Sequence, residues 1–250
     1  MHAVQPPNLP TPEDVAVVVG ATGGIGSALL EELGGDSRYG RVLGLSRTPP
    51  PPTGGRIVPG YIDVTDEASI EAAAAQAKAL GTVRLVIVAS GMLHDNAARP
   101  ERTWAELRPE VLIKLFAVNA IGPALVARHF LPLLPRTGRS VFASISARVG
   151  SIEDNRLGGW HSYRASKAAL NMLLKTFSIE LKRRNPSAIC VGLHPGTVDT
   201  ALSKPFQGSV APGKLFSPDQ SAAHLLRVID QLTPADSGAV FAWDGSRIPA

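Results

Sequence analysis

An α/β fold, a parallel sheet covered by helices on both faces, is predicted for this 250-residue chain by three observations. Its apolar runs are short, rich in Val, Ile, Leu and Ala, and nearly continuous, as strands buried on both faces should be. Segments with helical patterning separate those runs along the whole chain. No linker, composition shift or internal repeat divides the sequence, so the alternation belongs to one domain.

The elements follow in order. Residues 1–14 are proline-rich and polar and read as a flexible N-terminal tail, with neither a signal-peptide core nor a membrane span. The domain, residues 15–250, opens with a strand at Val15–Val19 that runs into Gly20-Ala21-Thr22-Gly23-Gly24-Ile25-Gly26 and a helix over Ile25–Leu33. A second strand is expected at Arg41–Leu45. Pro49 to Gly55 reads as a surface loop before a third strand at Gly60–Ile62. A helix over Glu67–Leu80, a strand at Leu85–Ala89 and a long helix over Arg108–Phe130 come next. Pro123 and Pro132 are expected to interrupt or end that long helix, because proline removes a backbone donor. Strands at Ser140–Ser144, Ala188–Leu193 and Ala239–Ala242, with helices over His161–Arg184 and Pro218–Gln231, complete the pattern.

Composition narrows the function classes. The chain is 44% hydrophobic and 18% charged, enough for one sizeable core. A net charge of +4, with no basic run longer than Lys182-Arg183-Arg184, argues against nucleic-acid binding. The one cysteine, Cys190, lies in an apolar run and cannot form an internal disulfide, which suits a reducing, cytoplasmic location. The histidines match no metal-ligand spacing. Neither Ser144 nor Ser146 has the flanking glycines of a hydrolase nucleophile elbow.

A strand that enters a glycine-rich turn and leaves as a helix is the context in which such a turn binds a dinucleotide. Gly20 allows the tight turn, Gly24 allows backbone to approach a pyrophosphate, and Gly26 allows close helix packing. The phosphates then meet the positive end of the helix. At the end of the second strand Ser46-Arg47 stands where an NAD site usually carries a carboxylate. A cation and a hydroxyl there suit a 2′-phosphate, so NADP(H) is favoured over NAD(H). Asp63-Val64 follows the third strand. Asp63 suits an adenine amino group, while Asp66 serves equally as a ligand or as a helix cap. Ala89-Ser90-Gly91 ends the fourth strand with residues small enough for a ribose to lie against the sheet edge.

About 140 residues beyond the turn, Tyr163-Arg164-Ala165-Ser166-Lys167 places a phenol and an amine four apart on one helical face. An ammonium beside a phenol favours the phenolate and lowers a pKa that is about 10 in isolation. Such a group serves carbonyl–alcohol interconversion.

The order of these features resembles the short-chain dehydrogenase/reductase family over roughly Val15 to Ile248. Val118-Asn119-Ala120 and His194-Pro195-Gly196-Thr197-Val198-Asp199-Thr200 extend the match. Arg148-Val149-Gly150-Ser151-Ile152, the compact length and Trp243-Asp244-Gly245 make it most similar to the sniffer-type carbonyl reductases and C-factor-like signalling proteins. The resemblance implies a doubly wound Rossmann fold with seven parallel strands. It implies Tyr163 as proton donor, Lys167 lowering its pKa and holding the nicotinamide ribose, and Asn119 anchoring a water that links Lys167 to solvent. Around the cofactor it implies Gly20, Thr22, Gly23, Gly24, Ile25 and Gly26 at the pyrophosphate. Pro195 and Gly196 would close the sixth strand, with Val198 facing the carboxamide and Thr200 the phosphates. A substrate lid is implied at 201–217, and a homodimer or homotetramer through the Arg108–Phe130 and His161–Arg184 helices.

The sequence departs from the family at its serine. The usual adjacent pair is broken in Ser144-Ile145-Ser146-Ala147-Arg148; counting back from Gly150, Ala147 falls on the second serine and Ser146 on the first. Ser146 is the candidate to polarise the substrate oxygen, with Ser144 and Ser151 as weaker options. Val19 replaces a common Thr, and Val88 or Ala89 a common Asn. Phe206 and Phe216 are candidates for pocket lining or for core, and His94, Asp95 and Trp104 for the opposite wall. The resulting expectation is an NADPH-dependent reductase of small or medium aldehydes and ketones. A nucleotide-binding signalling protein of the same fold with little turnover is the alternative.

Overall fold

The computed structural model of the chain describes residues 13–51, 55–95 and 99–250. Residues 1–12, which make up nearly all of the proposed tail, and Pro52, Thr53 and Gly54 of the proline-rich loop lie outside the described residues.

Eight strands form the main sheet. Seven are parallel: β1 (Asp14–Val19), β2 (Arg41–Ser46), β3 (Ile57–Tyr61), β4 (Thr82–Val88), β5 (Ser140–Ile145), β6 (Ala188–His194) and, late in the chain, β9 (Val240–Ala242). A short pair, β7 (Thr197–Val198) and β8 (Leu215–Phe216), forms a separate ribbon, and β10 (Arg247–Ile248) adds an antiparallel edge to β9. The spatial order is β10-β9-β6-β5-β4-β1-β2-β3. The seven expected parallel strands are all present, and the sequence reading missed only the two-residue strands. β3 starts at Ile57, ahead of Pro59; β3 is the other edge of the sheet, where proline's missing donor is tolerated.

The helices are α1 (Gly24–Gly35), α2 (Glu67–Leu80), α3 (Pro109–Phe116), α4 (Gly122–Phe130), α5 (His161–Arg184) and α6 (Pro218–Gln231). Each strand divides its residues between two cores, because alternate side chains face opposite sides. In β1, Val15, Val17 and Val19 join α2, α4 and α5 residues such as Ile70, Phe130 and Leu174. Ala16 and Val18 join Leu29 and Leu33 of α1 and Leu225 and Ile229 of α6 on the other face. β1 is buried throughout, hence its unbroken apolar run.

The long third helix does not break at Pro123. A π turn over Ala117–Ile121 joins α3 to α4, and Pro123 sits at the start of the next α-helical segment, where its missing N–H does least harm. The stretch Pro109–Leu133 is long and apolar enough by composition to cross a bilayer. Its inward residues Val111, Leu115, Val126 and Phe130 are nevertheless packed in the protein's own cores, as in a core helix.

Strand order reverses between β1 and β4, and the crevice at the carboxyl ends beside that reversal is where open α/β sheets bind ligands.

Candidate active site

A cleft of about 690 Å³ opens at that reversal. Gly20, Thr22 and Gly23 line it after β1, Ser46 and Arg47 after β2, Asp63 and Val64 after β3, and Ala89, Ser90 and Gly91 after β4. The nucleotide-end candidates are thus assembled around one cavity from four strands. Gly20 has a φ of +89°, and a Cβ there would lie 2.8 Å from Ser90 N. A Cβ on Gly26 would lie 2.0 Å from Gly20 O, so the turn and the helix close on each other only without a side chain. Gly24, Ile25 and Gly26 form the first turn of α1 behind the cleft lining, where amides have no acceptor within the helix. Gly24 makes room for protein too: a Cβ there would meet Thr200 Cγ2 at 2.5 Å.

Several side chains are already engaged. Ser46 Oγ donates to Thr48 O at 2.5 Å, and Arg47 is exposed on the wall. Asp63 Oδ1 accepts from Thr65 N at 2.9 Å and Thr65 Oγ1 at 2.7 Å. Those bonds, aided by Arg47, hold its carboxyl below the ordinary range. Asp66 caps α2 by accepting from Ala68 N at 3.1 Å and does not line the cleft. Ser90 Oγ is buried with no hydrogen-bond partner among the described residues. A cradle of helix-start amides, a hydroxyl in need of a partner and an exposed arginine fit a phosphorylated dinucleotide.

Tyr163 and Lys167 lie past the cleft's inner end. Both are buried, 8% and 2% exposed, one turn apart on α5. Gly91 connects the regions: a Cβ on it would stand 3.7 Å from both Lys167 Nζ and Asn119 Oδ1. Lys167 Nζ lies 5.9 Å from the Tyr163 ring centroid and donates to Ile145 O at 2.8 Å. The expected lowering of the phenol pKa is not what dominates in the protein alone. Burial raises Tyr163 above its ordinary value of 10 and pulls Lys167 down to about 8.

Asn119 is fully buried in the π turn. Its Oδ1 accepts from Met92 N at 2.8 Å, and its Nδ2 donates to Met92 O at 2.7 Å and Ser166 Oγ at 3.1 Å. Ser166 Oγ in turn donates to Tyr163 O at 2.8 Å, so Asn119 braces α5 against the segment after β4.

The three candidate serines differ in their surroundings. Ser146 Oγ donates to Asn171 Oδ1 at 2.6 Å, so its proton is engaged within the protein. Ser144 Oγ is buried without a partner among the described residues, and Ser151 Oγ donates to Ala250 O at 3.1 Å. The residue that packs in the same apolar cluster as Tyr163 is Ala147.

Pro195, Gly196, Val198 and Thr200 lie outside the cleft lining. Pro195 O accepts from Ser221 Oγ at 3.1 Å, and Val198 O from Ser203 Oγ at 2.5 Å and Thr200 Oγ1 at 3.4 Å. A Cβ on Gly196 would meet the Phe216 ring at 2.7 Å. The two phenylalanines of the segment where a lid is expected, 201–217, divide. Phe206, with Leu202, packs in the Tyr163 cluster. Phe216 stacks edge-on with Trp243 and His224 at 4.6 and 5.1 Å and is core. His94 and Asp95 line the cleft, whereas Trp104 is 80% exposed and forms no wall. Sequence reasoning missed Lys114, which pairs with Asp95 on the cleft wall, and Trp160, whose ring lies 6.2 Å from that of Tyr163. The adjacent Gly158-Gly159 was the only local sign of an unusual backbone at Trp160. Cys190 is a buried core residue, as expected, and burial pushes its thiol up to about 12.

A profile described as short chain dehydrogenase matches residues 14–209. The 1-hydroxy-2-glutathionyl-2-methyl-3-butene dehydrogenase of Rhodococcus sp. (strain AD45) is 35% identical over 192 residues, 76% of this chain and 78% of that one. The C-signal of Myxococcus xanthus is 38% identical over 138 residues, 55% of this chain and 78% of that one. Among solved structures, the NADPH-bound carbonyl reductase from chicken fatty liver superposes with a TM-score of 0.80 at 27% identity, covering 98% of this chain and 96% of the other. The carbonyl reductase Sniffer of D. melanogaster shares the fold, with a TM-score of 0.77 at 22% identity over 96% of this chain and 100% of that one.

Proposed function

The chain belongs to the short-chain dehydrogenase family of oxidoreductases, and on that premise we propose that it reduces an aldehyde or ketone to the alcohol, using NADPH. The observation that carries this reading is the buried Tyr163–Lys167 pair at the inner end of a dinucleotide-shaped cleft. The chicken carbonyl reductase and the Rhodococcus dehydrogenase support it by similarity.

NADPH would supply the hydride. The Gly20–Gly26 turn would hold its pyrophosphate against the amides opening α1, with Thr200 beside them. Arg47 and Ser46 would take the 2′-phosphate, Asp63 the adenine, and Ser90 a ribose hydroxyl. Val64, Ala89 and Gly91 would keep the walls small enough for close approach, and Pro195, Gly196 and Val198, outside the open cleft, would reach the nicotinamide end only once the cofactor is bound.

Tyr163 keeps its proton at neutral pH because burial disfavours the phenolate, so it acts as the acid toward an oxygen gaining charge. Lys167, with its pKa pulled to about 8, exchanges a proton close to neutrality and orients the ribose. The Asn119 side chain is occupied, so the relay water falls to its main-chain carbonyl. Ser146 would polarise the substrate only by exchanging Asn171 for it, so Tyr163 carries most of the stabilisation.

A homodimer or homotetramer belongs to this proposal, as does a cytoplasmic location suited to the buried free thiol of Cys190. The signalling alternative draws on the similarity to the C-signal and on the committed Ser146 proton.

NADPH consumption by the purified protein, with NADH in parallel, against aldehydes, ketones and quinones tests the proposal. Turnover favouring NADPH is expected, with Tyr163→Phe lowering kcat by about 10²-fold or more and leaving NADPH affinity intact. Tight NADPH binding without turnover, or a fully active Tyr163→Phe variant, would overturn it.

A further inference from the structure

Glu101 is a buried carboxylate, 3% exposed, that the proposed chemistry does not use. Its Oε1 accepts a short hydrogen bond from Ser162 Oγ, and its Oε2 accepts from Ser162 N at 3.2 Å. Its main-chain oxygen accepts from Trp160 N at 2.6 Å. These three bonds tie one residue to both sides of His161, where α5 begins, and put a negative charge at the positive end of that helix. Tyr163 follows Ser162 directly, so Glu101 also sets where the phenol stands.

Trp160 is the only non-glycine among the described residues with a left-handed backbone, φ 52° and ψ 41°. A bulky side chain does not adopt this conformation unless its surroundings impose it. The Glu101 carbonyl, bonded to Trp160 N, is one contact that holds it there, and the conformation has a consequence for the site. The indole ring lies 4.9 Å from the Phe206 ring and 6.2 Å from the Tyr163 ring, and His94 closes on Phe206 at 5.7 Å. Met92, Leu93 and Leu202 belong both to this cluster and to the cleft wall. The rings therefore pack directly behind the inner end of the cleft, in one cluster with Tyr163 and with Ala147 rather than a hydroxyl.

We infer that Glu101 is a positioning residue that locks Trp160 and the first turn of α5, and that the resulting aromatic wall selects flat, conjugated carbonyls over flexible aliphatic ones. The inference rests on the proposed carbonyl reduction and specifies its substrate class. Edge-to-face and offset ring packing reward a planar π surface and give a saturated chain no equivalent. A conjugated carbonyl, whose ring is held flat, also presents its oxygen to Tyr163 with little orientational freedom to lose.

Benzaldehyde and hexanal, with saturating NADPH, are the probes for wild type, Glu101→Ala, Glu101→Gln and Trp160→Ala. Wild type should prefer benzaldehyde in kcat/KM by about tenfold, in line with one or two ring contacts. Glu101→Ala should lower kcat/KM for benzaldehyde by about 10–100-fold and hexanal much less, erasing the preference, with NADPH affinity within about twofold. Glu101→Gln, which still accepts from Ser162 N, should recover most of the preference. Trp160→Ala should erase it in a folded protein, and so decides the matter even where Glu101→Ala does not fold. Wild type that turns over both aldehydes without preference, or a Trp160→Ala or folded Glu101→Ala variant with the wild-type ratio, would overturn this inference alone. Wild type that reduces no carbonyl in the wider panel would overturn the proposed function, and this inference with it.

Discussion

Ala147 packs in the same cluster as Tyr163 and, on the proposed function, stands where a hydroxyl would give a carbonyl oxygen its second donor. Ser146, one residue earlier, points its proton at Asn171 and is 2% exposed. Alternation along an extended chain explains the difference: adjacent side chains leave opposite sides of the backbone. Removing one donor to a developing oxyanion typically costs about 10²–10³ in rate. Ala147→Ser should therefore raise kcat about tenfold or more, allowing for an imperfect fit, whereas Ser146→Ala should change kcat less than about threefold. Loss of its buried bond should instead lower stability by about 1–3 kcal/mol. Steady-state kinetics and thermal melts on the two variants separate the roles. A large fall in kcat for Ser146→Ala, with no gain from Ala147→Ser, would return the polarising role to Ser146. The order of the residues was readable in the sequence; the direction of the hydroxyl was not, because its partner lies 25 residues away on another element.

The first half of α5 is the element on which the proposed chemistry depends. Its buried face carries Tyr163, Ser166, Lys167 and Leu170, so the spacing that suggested chemistry is the same spacing that buries it. The bounds of α5, α2 and α6 follow directly from the sequence pattern, since periodicity is a local property. The π turn before α4 does not, because one extra residue in a turn leaves the apolar pattern almost unchanged. Burying Lys167 has a measurable consequence. Unfolded, the amine holds its proton to about 10.5; folded, to about 8. Between those values unfolding takes up a proton, so this residue's contribution to stability rises with pH, and below about 8 its penalty is constant. Lys167→Met removes that dependence. The Tm of the variant minus that of wild type should thus fall as the buffer moves from about pH 8 to 10, a window in which changes from other groups cancel between the proteins. An unchanged difference across that window would mean that Lys167 keeps its ordinary pKa when folded.

At the scale of the whole molecule, two cores sandwich a sheet whose order reverses beside the cleft; the carboxyl ends of four strands line that cleft, while Tyr163 and Lys167 come from α5. The outer surfaces of the helices over one face bear on assembly. Ile113 and Ile121, in and just after α3, and Met172 and Ile179 on α5 are 70%, 52%, 66% and 48% exposed, on helices that pack together. Apolar surface of this kind on a regular helical layer suits a symmetric, self-complementary contact. Sedimentation should find wild type as a dimer or tetramer and the double variant Ile121→Glu/Met172→Glu as a monomer that retains its helical spectrum. A monomeric wild type would remove the oligomer from the proposal.

The sequence by itself determined the class of fold, the strand and helix order, the glycine turn and the Tyr163–Lys167 pair. Each is written in short-range patterns: apolar runs, helical periodicity and residues a turn apart. It also set the nucleotide wall, because every strand of a parallel sheet delivers its carboxyl end to the same edge. The tertiary structure alone decided that Ser146 faces Asn171, that Phe206 rather than Phe216 joins the cluster around Tyr163, and that Glu101 bonds the backbone of Trp160. Those contacts join elements far apart in the chain. Their geometry depends on how helices and loops pack on the sheet, which no local pattern encodes.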